Sequence, residues 1–118
     1  MRRIDKPWGY ELVWAETSSY VGKILHIRAG KRLSFQYHRQ KEETLMVQSG
    51  RVRATLGDAE EPPRTVVLEA GEVVHIPPGR RHRFEAITDA DLIEVSTTEL
   101  DDVVRLSDDY GRAESDPV

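Results

Sequence analysis

The sequence predicts an all-β fold with a single core. Short runs rich in Val, Ile, Leu and Tyr recur about every ten residues, and Gly, Pro and charged residues separate them, which is the spacing of a sandwich or barrel of strands. Helical periodicity is nearly absent before residue 98. A chain of 118 residues is long enough to bury one core and too short for two, so an active site is expected inside that domain or between copies of it.

Each predicted strand is a run of apolar and β-branched residues that stops at a turn residue. Gly30 ends the second strand, and the single Gly50 between two runs indicates a tight hairpin. Gly71 separates the sixth strand from the seventh, and Pro77 and Pro78 end the seventh because proline has no N–H to donate to a ladder. In chain order the predicted strands cover 10–15, 20–29, 33–38, 43–49, 51–57, 64–70, 72–77, 81–87 and 90–98.

The last part of the chain has a different composition. After residue 98 the segment is acidic, and it predicts one short helix or an arm packed on the surface. The segment 57–64 combines Gly, Asp, Glu and Pro, which is typical of a long exposed loop. We therefore expect one domain over residues 1–112 and a frayed tail over residues 113–118.

Composition excludes several classes of function. The formal net charge is −4 with 32% charged residues, which is ordinary for a soluble globular protein and gives no global electrostatic attraction to nucleic acid. The absence of cysteine excludes disulfides and thiolate ligands or nucleophiles, and it is compatible with a reducing compartment. The chain begins without an apolar signal segment and has no stretch of ~20 apolar residues, so we expect a cytoplasmic protein that binds no membrane.

Polar residues occupy positions that the strand pattern directs inward. Side chains alternate across a strand, so Gln36 and His38 share one face. If the chain turns after them and returns antiparallel, Glu43 begins a strand whose other residues on the same face, Leu45 and Val47, are apolar. This places a carboxylate, an imidazole and an amide at the rim of an apolar interior.

The second half of the chain repeats this arrangement. A Pro-Gly turn at 77–79 leads into a strand that carries His82. Two imidazoles, one carboxylate and one amide oxygen form a nitrogen and oxygen donor set that suits Zn, Fe, Ni, Co or Mn, and without thiolates a soft metal is disfavoured. The alternative on spacing alone is that these histidines are hydrogen-bonded residues at the end of a sheet.

Two motifs in this chain resemble those of the cupin superfamily. The segment from Gly30 to Gly50 contains His38 and Glu43 at the spacing of the first motif, and the segment from Gly71 to His82, "GEVVHIPPGRRH", has the spacing of the second. Where most cupins have a first His, this chain has Gln36, which is similar to the type II mannose-6-phosphate isomerases and the C-terminal isomerase domain of bifunctional isomerase/guanylyltransferases. The further matching segments are "KPWG" at 6–9, "RLSFQYH" at 32–38, "IPPGRRHR" at 76–83 and "LDDVVRLSDDYGR" at 100–112.

The resemblance implies a fold, a cofactor and an activity. The fold would be a single-domain cupin, a double-stranded β-helix or jelly-roll barrel. The cofactor would be a divalent metal ion, with Zn first and Ni, Co, Mn or Fe as alternatives, and the activity would be interconversion of mannose 6-phosphate and fructose 6-phosphate. The implied ligands are Gln36, His38, Glu43 and His82.

The chain also departs from the isomerase pattern. Lys41 replaces an Arg two residues before the Glu, Thr44 and Leu45 replace a His-Trp pair, and Ala86 stands where an Asn is common. Two other readings therefore stay open. One is a non-catalytic sugar-binding cupin, and the other is a different metal-dependent cupin enzyme, such as an iron dioxygenase, which Gln36 disfavours because it would replace a third His ligand.

Aldose-ketose isomerisation needs an electrophile at the C1 and C2 oxygens and a base that moves a proton between the two carbons. A metal would supply the first. Candidates for the base are a hydroxide on the metal, His75 and Tyr110, and Arg112 or Arg105 could stabilise a negative oxygen. The alternative for either Arg is an ion pair with one of the neighbouring aspartates at the surface.

The sugar phosphate expected as the small-molecule partner requires cations near the barrel mouth. Lys41, Arg80 and Arg105 are candidates, and Trp8 either stacks on the sugar or covers one end of the core. Long apolar edge strands in a small β domain favour self-association, so we expect a homodimer.

Overall fold

Alternating apolar and polar residues build eleven β-strands within residues 1–58 and 61–112, which this computed structural model describes. No helix occurs among these residues, so none that could span a membrane is present there. The prediction of an all-β fold is confirmed. The strands are β1 (Arg2–Lys6), β2 (Gly9–Glu16), β3 (Val21–Ile27), β4 (Phe35–Tyr37), β5 (Glu43–Ser49), β6 (Val52–Gly57), β7 (Arg64–Leu68), β8 (Val73–Ile76), β9 (Arg81–Ala86), β10 (Ala90–Ser96) and β11 (Val104–Ser107).

The strands form two antiparallel sheets. The six-stranded sheet has the order β1-β2-β3-β10-β5-β8, and the five-stranded sheet has the order β11-β4-β9-β6-β7. Neighbours in both sheets are mostly not consecutive in the chain, so the connections cross from one sheet to the other, as in a jelly roll. The predicted barrel of double-stranded β-helix type agrees with this arrangement.

The core lies between the two sheets and follows the alternation of the strands. In β5, Leu45 and Val47 are 1% exposed while Met46 between them is 37% exposed. Phe84 of β9 faces the same interior from the opposite sheet. Each such side chain contributes about 1.5 to 3 kcal/mol when it is removed from water. The interior is therefore apolar at its centre, and polar inward residues are costly unless they are paired.

The first and last strands of the described residues are ones that the sequence pattern does not predict. The strand β1 pairs with β2 along its whole length, and β11 pairs with β4, where Arg105 lies opposite Gln36. As far as residue 112, the segment after residue 98 is thus an arm that contains a strand, and the short helix named as its alternative does not occur there. The tail at 113–118 and part of the loop at 57–64 lie outside the described residues.

A close backbone approach explains the glycine that begins β2. A Cβ atom at Gly9 would lie 1.8 Å from the carbonyl oxygen of His26 in the neighbouring strand β3. No other residue type fits at that distance, so the pairing of β2 with β3 depends on this position.

Candidate metal centre

Three inward side chains from different elements meet at one end of the barrel interior. Glu43 is the first residue of β5, His82 lies on β9, and His38 follows β4 directly. Gln36 of β4 is paired with His82, and residues directly opposite each other in an antiparallel pair share a face. All four are between 1% and 4% exposed. The strand alternation therefore brings these groups into the protein interior.

The donor atoms are close enough to share one ion. Glu43 Oε1 lies 3.4 Å from His38 Nε2 and 3.2 Å from His82 Nε2. The ligand atoms of the three residues all lie within 4.8 Å of one another. Atoms that each bind a metal at about 2.1 Å are separated by roughly 3 to 4 Å, so only a small adjustment is needed to bind a common ion.

The hydrogen bonds of the two imidazoles determine which nitrogen faces the cluster. His38 Nδ1 donates to the carbonyl oxygen of Asp102, and His82 Nδ1 donates to the carbonyl oxygen of Arg80 at 2.9 Å. A carbonyl oxygen only accepts, so Nδ1 carries the hydrogen in both rings. In the neutral imidazoles, Nε2 is then a bare lone pair directed at the carboxylate.

This arrangement fits a cation. Neither Nε2 atom has a hydrogen-bond partner in the described part of the chain, and both are buried. Two lone pairs beside a carboxylate repel one another unless a positive group lies among them. Histidine ligands that donate Nδ1–H to a carbonyl oxygen are the usual arrangement around a protein-bound metal. The residues present therefore fit the divalent ion that the resemblance implies.

Gln36 is the fourth residue of the predicted ligand set. Its side-chain oxygen accepts a hydrogen bond from Ser34 Oγ at 2.5 Å, and an amide oxygen has a second lone pair that remains usable. The residue is 3% exposed and neighbours His82 in the ladder. Its role as a ligand stays a prediction.

A buried ammonium group lies directly behind the cluster. Lys41 is 1% exposed, and its Nζ lies 3.1 Å from Glu43 Oε2 and 3.3 Å from Glu94 Oε2. Burial lowers the pKa of Lys41, but the charges of Glu94 and Glu43 raise it by more, so its pKa is above the ordinary value. Burial raises the pKa of Glu43, but the positive charge of Lys41 is the main cause that holds that pKa well below its usual range. The ionised carboxylate is the form that binds a metal.

The charged groups continue across the interior beyond Lys41. Burial and the charge of Glu43 raise the pKa of Glu94 to about 7, although Lys41 and Lys23 oppose the shift. Lys23 lies opposite Glu94 in the ladder between β3 and β10, and its Nζ lies 3.1 Å from Glu11 Oε1. We call this set of buried residues the interior charge line; its members are Glu11, Lys23, Glu94, Lys41 and Glu43.

Sequence reasoning did not single out three members of this line. Glu11, Lys23 and Glu94 are each at most 3% exposed. Each occupies an inward position of a strand whose other inward residues are mainly apolar. The sequence signal that could have identified them is a charged residue at a strand position where the alternation predicts an apolar one.

The arm carries three further predicted residues, of which Arg105 lies next to a predicted ligand. Arg105 is 8% exposed and lies opposite Gln36. Arg112 forms an ion pair with Asp108, with Nη2 3.0 Å from Oδ1. Tyr110 packs against the core, and its hydroxyl donates to the carbonyl oxygen of Arg32 at 3.0 Å. The ion pair named as the alternative role of Arg112 is thus present, but it is largely buried.

Three other predicted residues have their side chains engaged elsewhere. His75 is exposed on the outward face of β8, between the buried Val74 and Ile76, and its Nε2 lies 2.6 Å from Glu42 Oε2. Arg80 forms an ion pair with Asp58, in which its Nε lies 2.9 Å from Oδ1. Trp8 is 1% exposed within the core cluster, which matches the alternative that it covers the core. The roles predicted for His75, Arg80 and Trp8 in the site gain no support from these contacts.

Comparisons with known proteins agree with this picture. A family model described as "Cupin domain" matches residues 23–97. The mannose-1-phosphate guanylyltransferase of Escherichia coli (strain K12) is 36% identical over 118 residues, which are 94% of this chain and 23% of that protein. The xanthan biosynthesis protein XanB of Xanthomonas campestris pv. campestris is 32% identical over 117 residues, covering 94% of this chain and 24% of that protein. The chain thus spans about a quarter of the length of these relatives.

Solved structures extend the likeness in fold. KdgF from Halomonas sp. superposes with a TM-score of 0.71 and covers 84% of this chain and 89% of its own. Its sequence identity is 17%, so the likeness is one of fold alone.

Proposed function

The chain belongs to the cupin family, and from that premise we propose that it is a metal-dependent sugar-phosphate isomerase that interconverts mannose 6-phosphate and fructose 6-phosphate. The observation that carries this proposal is the buried cluster of His38, Glu43 and His82. The resemblance of residues 6–112 to type II mannose-6-phosphate isomerases supports it, as do relatives that are named for work on mannose 1-phosphate.

The proposed cofactor is a divalent metal, with Zn as the first candidate and Ni, Co, Mn and Fe as alternatives. His38, Glu43 and His82 would hold it, with Gln36 as the fourth ligand. A metal at this place would supply Lewis-acid polarisation of the sugar oxygens at C1 and C2. The residues of the chain must then bind the sugar phosphate and move a proton between the two carbons.

The proton transfer requires a base beside the sugar. Tyr110 is the predicted candidate whose side chain packs against the core, whereas His75 is directed outward. Glu94 is a further candidate because it is a buried carboxylate close enough to Glu43 of the cluster for that charge to help raise its pKa to about 7. Lys41 itself is engaged by two carboxylates, so its predicted contact with substrate phosphate would require it to leave them.

Cations converge where the arm meets the beginning of the chain, and there we place the phosphate. Burial lowers the pKa of Lys6. The charge of Glu11 raises that pKa, and the nearby charges of Lys23, Arg112 and Arg105 lower it again. Positive groups that repel one another in a half-buried place are stabilised by an anion. Arg105 and Arg112 belong to this group of charges and are our candidates for the phosphate, and Arg112 would have to exchange its ion pair with Asp108 for it.

The deciding experiment is turnover of mannose 6-phosphate to fructose 6-phosphate by the purified protein. The protein is stripped of metal and then reloaded separately with Zn, Co, Mn, Ni and Fe. We expect no turnover without metal and restored turnover with at least one of them. A protein that binds one equivalent of metal and turns over nothing would contradict the isomerase.

That second outcome would favour a non-catalytic sugar-binding cupin or a different metal-dependent cupin reaction. One observation favours this alternative: the clustered side chains are at most 4% exposed, so a substrate reaches them only after some part of the surface moves. Thr44, Leu45 and Ala86, which depart from the isomerase pattern, point the same way. Binding of sugars without conversion would identify the first of these alternatives.

We also propose that the protein is a cytoplasmic homodimer, and that the outward face of the six-stranded sheet is the contact. One row of paired residues crosses five strands of that face, and every member is apolar: Leu12, Ile24, Ile93, Met46 and Val73. The row crosses four inter-strand spacings and is about 19 Å long, about two-thirds of the ~28 Å width of a standard interface of about 800 Å² per partner. A twofold axis through the central strand of the row would pack the row of one protomer against the same row of its partner.

The contact is tested by the molar mass in solution. Light scattering is expected to give twice the mass of one chain for the natural protein and the mass of one chain for Ile93→Lys. A natural protein that is monomeric at all concentrations would contradict the homodimer.

A further inference from the structure

One residue of the arm makes an unusual number of contacts with the loop that carries His38. The carboxylate of Asp102 accepts three backbone hydrogen bonds from consecutive residues of that loop. The N–H of Arg39 donates to Oδ1 at 3.0 Å, and the N–H groups of Gln40 and Lys41 donate to Oδ2 at 2.6 Å and 2.9 Å. The loop 39–41 is thus held from a point more than 60 residues away in the chain.

The same residue also contacts a ligand of the candidate metal centre. The backbone carbonyl oxygen of Asp102 accepts the hydrogen of His38 Nδ1, which orients the ring so that Nε2 faces Glu43. The carboxylate and the backbone carbonyl group of Asp102 therefore bind both ends of the segment 38–41. A displacement of Asp102 would move the ring and the loop together.

Through the loop, Asp102 also affects the position of a second candidate ligand, Glu43. Lys41, whose N–H is bonded to Asp102, extends its Nζ to within 3.1 Å of Glu43 Oε2. The orientations of His38 and Glu43, two of the three clustered residues, thus both depend on contacts that begin at Asp102. Groups that orient ligands in this way commonly change metal affinity by 10- to 100-fold when they are removed.

We propose that Asp102 is a positioning residue for the metal centre and that the arm is therefore part of that centre. The proposal rests on the proposed metal site. The arm contacts the site at a second point as well, because Arg105 lies opposite Gln36 in the pairing of β11 with β4. Only one residue separates Asp102 from β11, so both contacts are made by one short segment.

A purely structural role for Asp102 is the competing explanation. In that case the carboxylate only caps the turn at 39–41, and its loss lowers the stability of the fold without changing how the folded protein binds a metal. The two explanations differ in the affinity and in the ligand geometry of the metal-loaded protein, and neither quantity depends on catalytic turnover.

The experiment measures Co²⁺ binding to the full chain by visible absorption, together with thermal unfolding of the metal-free protein. The variants are Asp102→Ala and Asp102→Asn, and the matched control is Asp101→Ala, which removes the same charge from an exposed neighbour. We expect Asp102→Ala to weaken Co²⁺ binding by about 10- to 100-fold and to shift the absorption bands, because the loop between His38 and Glu43 loses the three hydrogen bonds that hold it. Asp102→Asn keeps one acceptor oxygen and should fall between Asp102→Ala and the natural protein.

The possible outcomes distinguish failure of the proposed metal site from failure of the positioning role of Asp102. If the natural protein binds no Co²⁺, the proposed metal site fails and the role of Asp102 fails with it. If the natural protein binds Co²⁺ and the Asp102 variants bind it with the same affinity and spectrum, the metal site stands and the positioning role is overturned. If Asp102→Ala does not fold, the comparison of Asp102→Asn with Asp101→Ala decides by the same criteria.

Discussion

Replacing Lys41 with Met removes the positive charge that lies between two buried carboxylates. The ammonium nitrogen is 3.1 Å from Glu43 and 3.3 Å from Glu94, and all three side chains are at most 4% exposed. Methionine has a similar volume and flexibility, so the substitution changes charge far more than packing. The metal-free variant would contain two carboxylates facing each other without their shared counter-ion.

The size of the effect follows from the loss of one partner in a buried ion pair. Such a loss typically costs about 3 to 5 kcal/mol because the remaining charge stays desolvated. Burial and Glu43 already raise the pKa of Glu94 to about 7, so that residue can take up a proton at neutral pH and relieve part of the repulsion. We therefore expect a loss near the lower limit, about 3 kcal/mol, in the free energy of unfolding of the metal-free protein at pH 7.

The assay is urea unfolding of the metal-free natural protein, Lys41→Met and the control Lys31→Met, whose side chain is exposed. The control should stay within about 0.5 kcal/mol of the natural protein. Saturating Zn²⁺ should stabilise Lys41→Met by more than it stabilises the natural protein, because the ion replaces the missing charge beside Glu43. Equal losses for the two Lys variants would refute the reasoning that a buried ammonium neutralises these carboxylates.

Three further predictions concern the ligands, the charge line and the backbone. His82→Ala should lose most of the bound metal, measured by metal analysis after dialysis, while His26→Ala, outside the cluster, should keep it. In the metal-free protein, the contribution of Glu94 is fully present below its ordinary pKa of 4.5 and is lost as pH rises through about 7, so the stability of Glu94→Gln relative to the natural protein should rise over that window. Gly9→Ala should cost at least about 2 kcal/mol in thermal unfolding, whereas Gly57→Ala, whose added Cβ would meet Pro63 at 3.4 Å, should cost less.

The alternation of side chains made most of the fold predictable. In β5, the inward Glu43, Leu45 and Val47 are buried as the period of two requires. The same reasoning failed for β1, where Ile4 is the only apolar residue among five. An edge strand of this kind forms because a neighbouring backbone offers hydrogen bonds, and the pattern of side chains does not show where such a backbone will lie.

Part of the candidate site was also predictable from the alternation of side chains along the strands. The inward direction of Gln36, His38 and Glu43 follows from local alternation, and the strand after the Pro-Gly turn adds His82. The resemblance to cupin motifs then implies that the four residues form one ligand set. The contact between Lys41 and Glu94 joins residues 53 positions apart, and it depends on how β10 aligns with β5. Register between distant strands is decided by the whole core, so the partner of Lys41 could not be identified from its neighbours in the chain.

The order of charges in the interior explains why a cation is expected at its end. Along the interior charge line the signs alternate, from Glu11 through Lys23, Glu94 and Lys41 to Glu43. Each carboxylate lies near an ammonium group, which is the condition under which buried charges are tolerated. Glu43 differs on its two sides: its Oε2 lies 3.1 Å from the Lys41 ammonium group, whereas its Oε1 lies 3.4 Å and 3.2 Å from the Nε2 atoms of His38 and His82.

The Oε1 side of the buried Glu43 carboxylate is the point at which the alternation of charges stops. A divalent ion there would continue the series and would satisfy two buried lone pairs that otherwise have no hydrogen-bond partner within the described residues. Protons on the imidazoles could satisfy the same atoms, but two imidazolium rings with centroids 5.1 Å apart would repel each other in the interior. A single cation between the rings and the carboxylate meets all three groups at once, and this is the physical reason for assigning a metal to this end of the barrel.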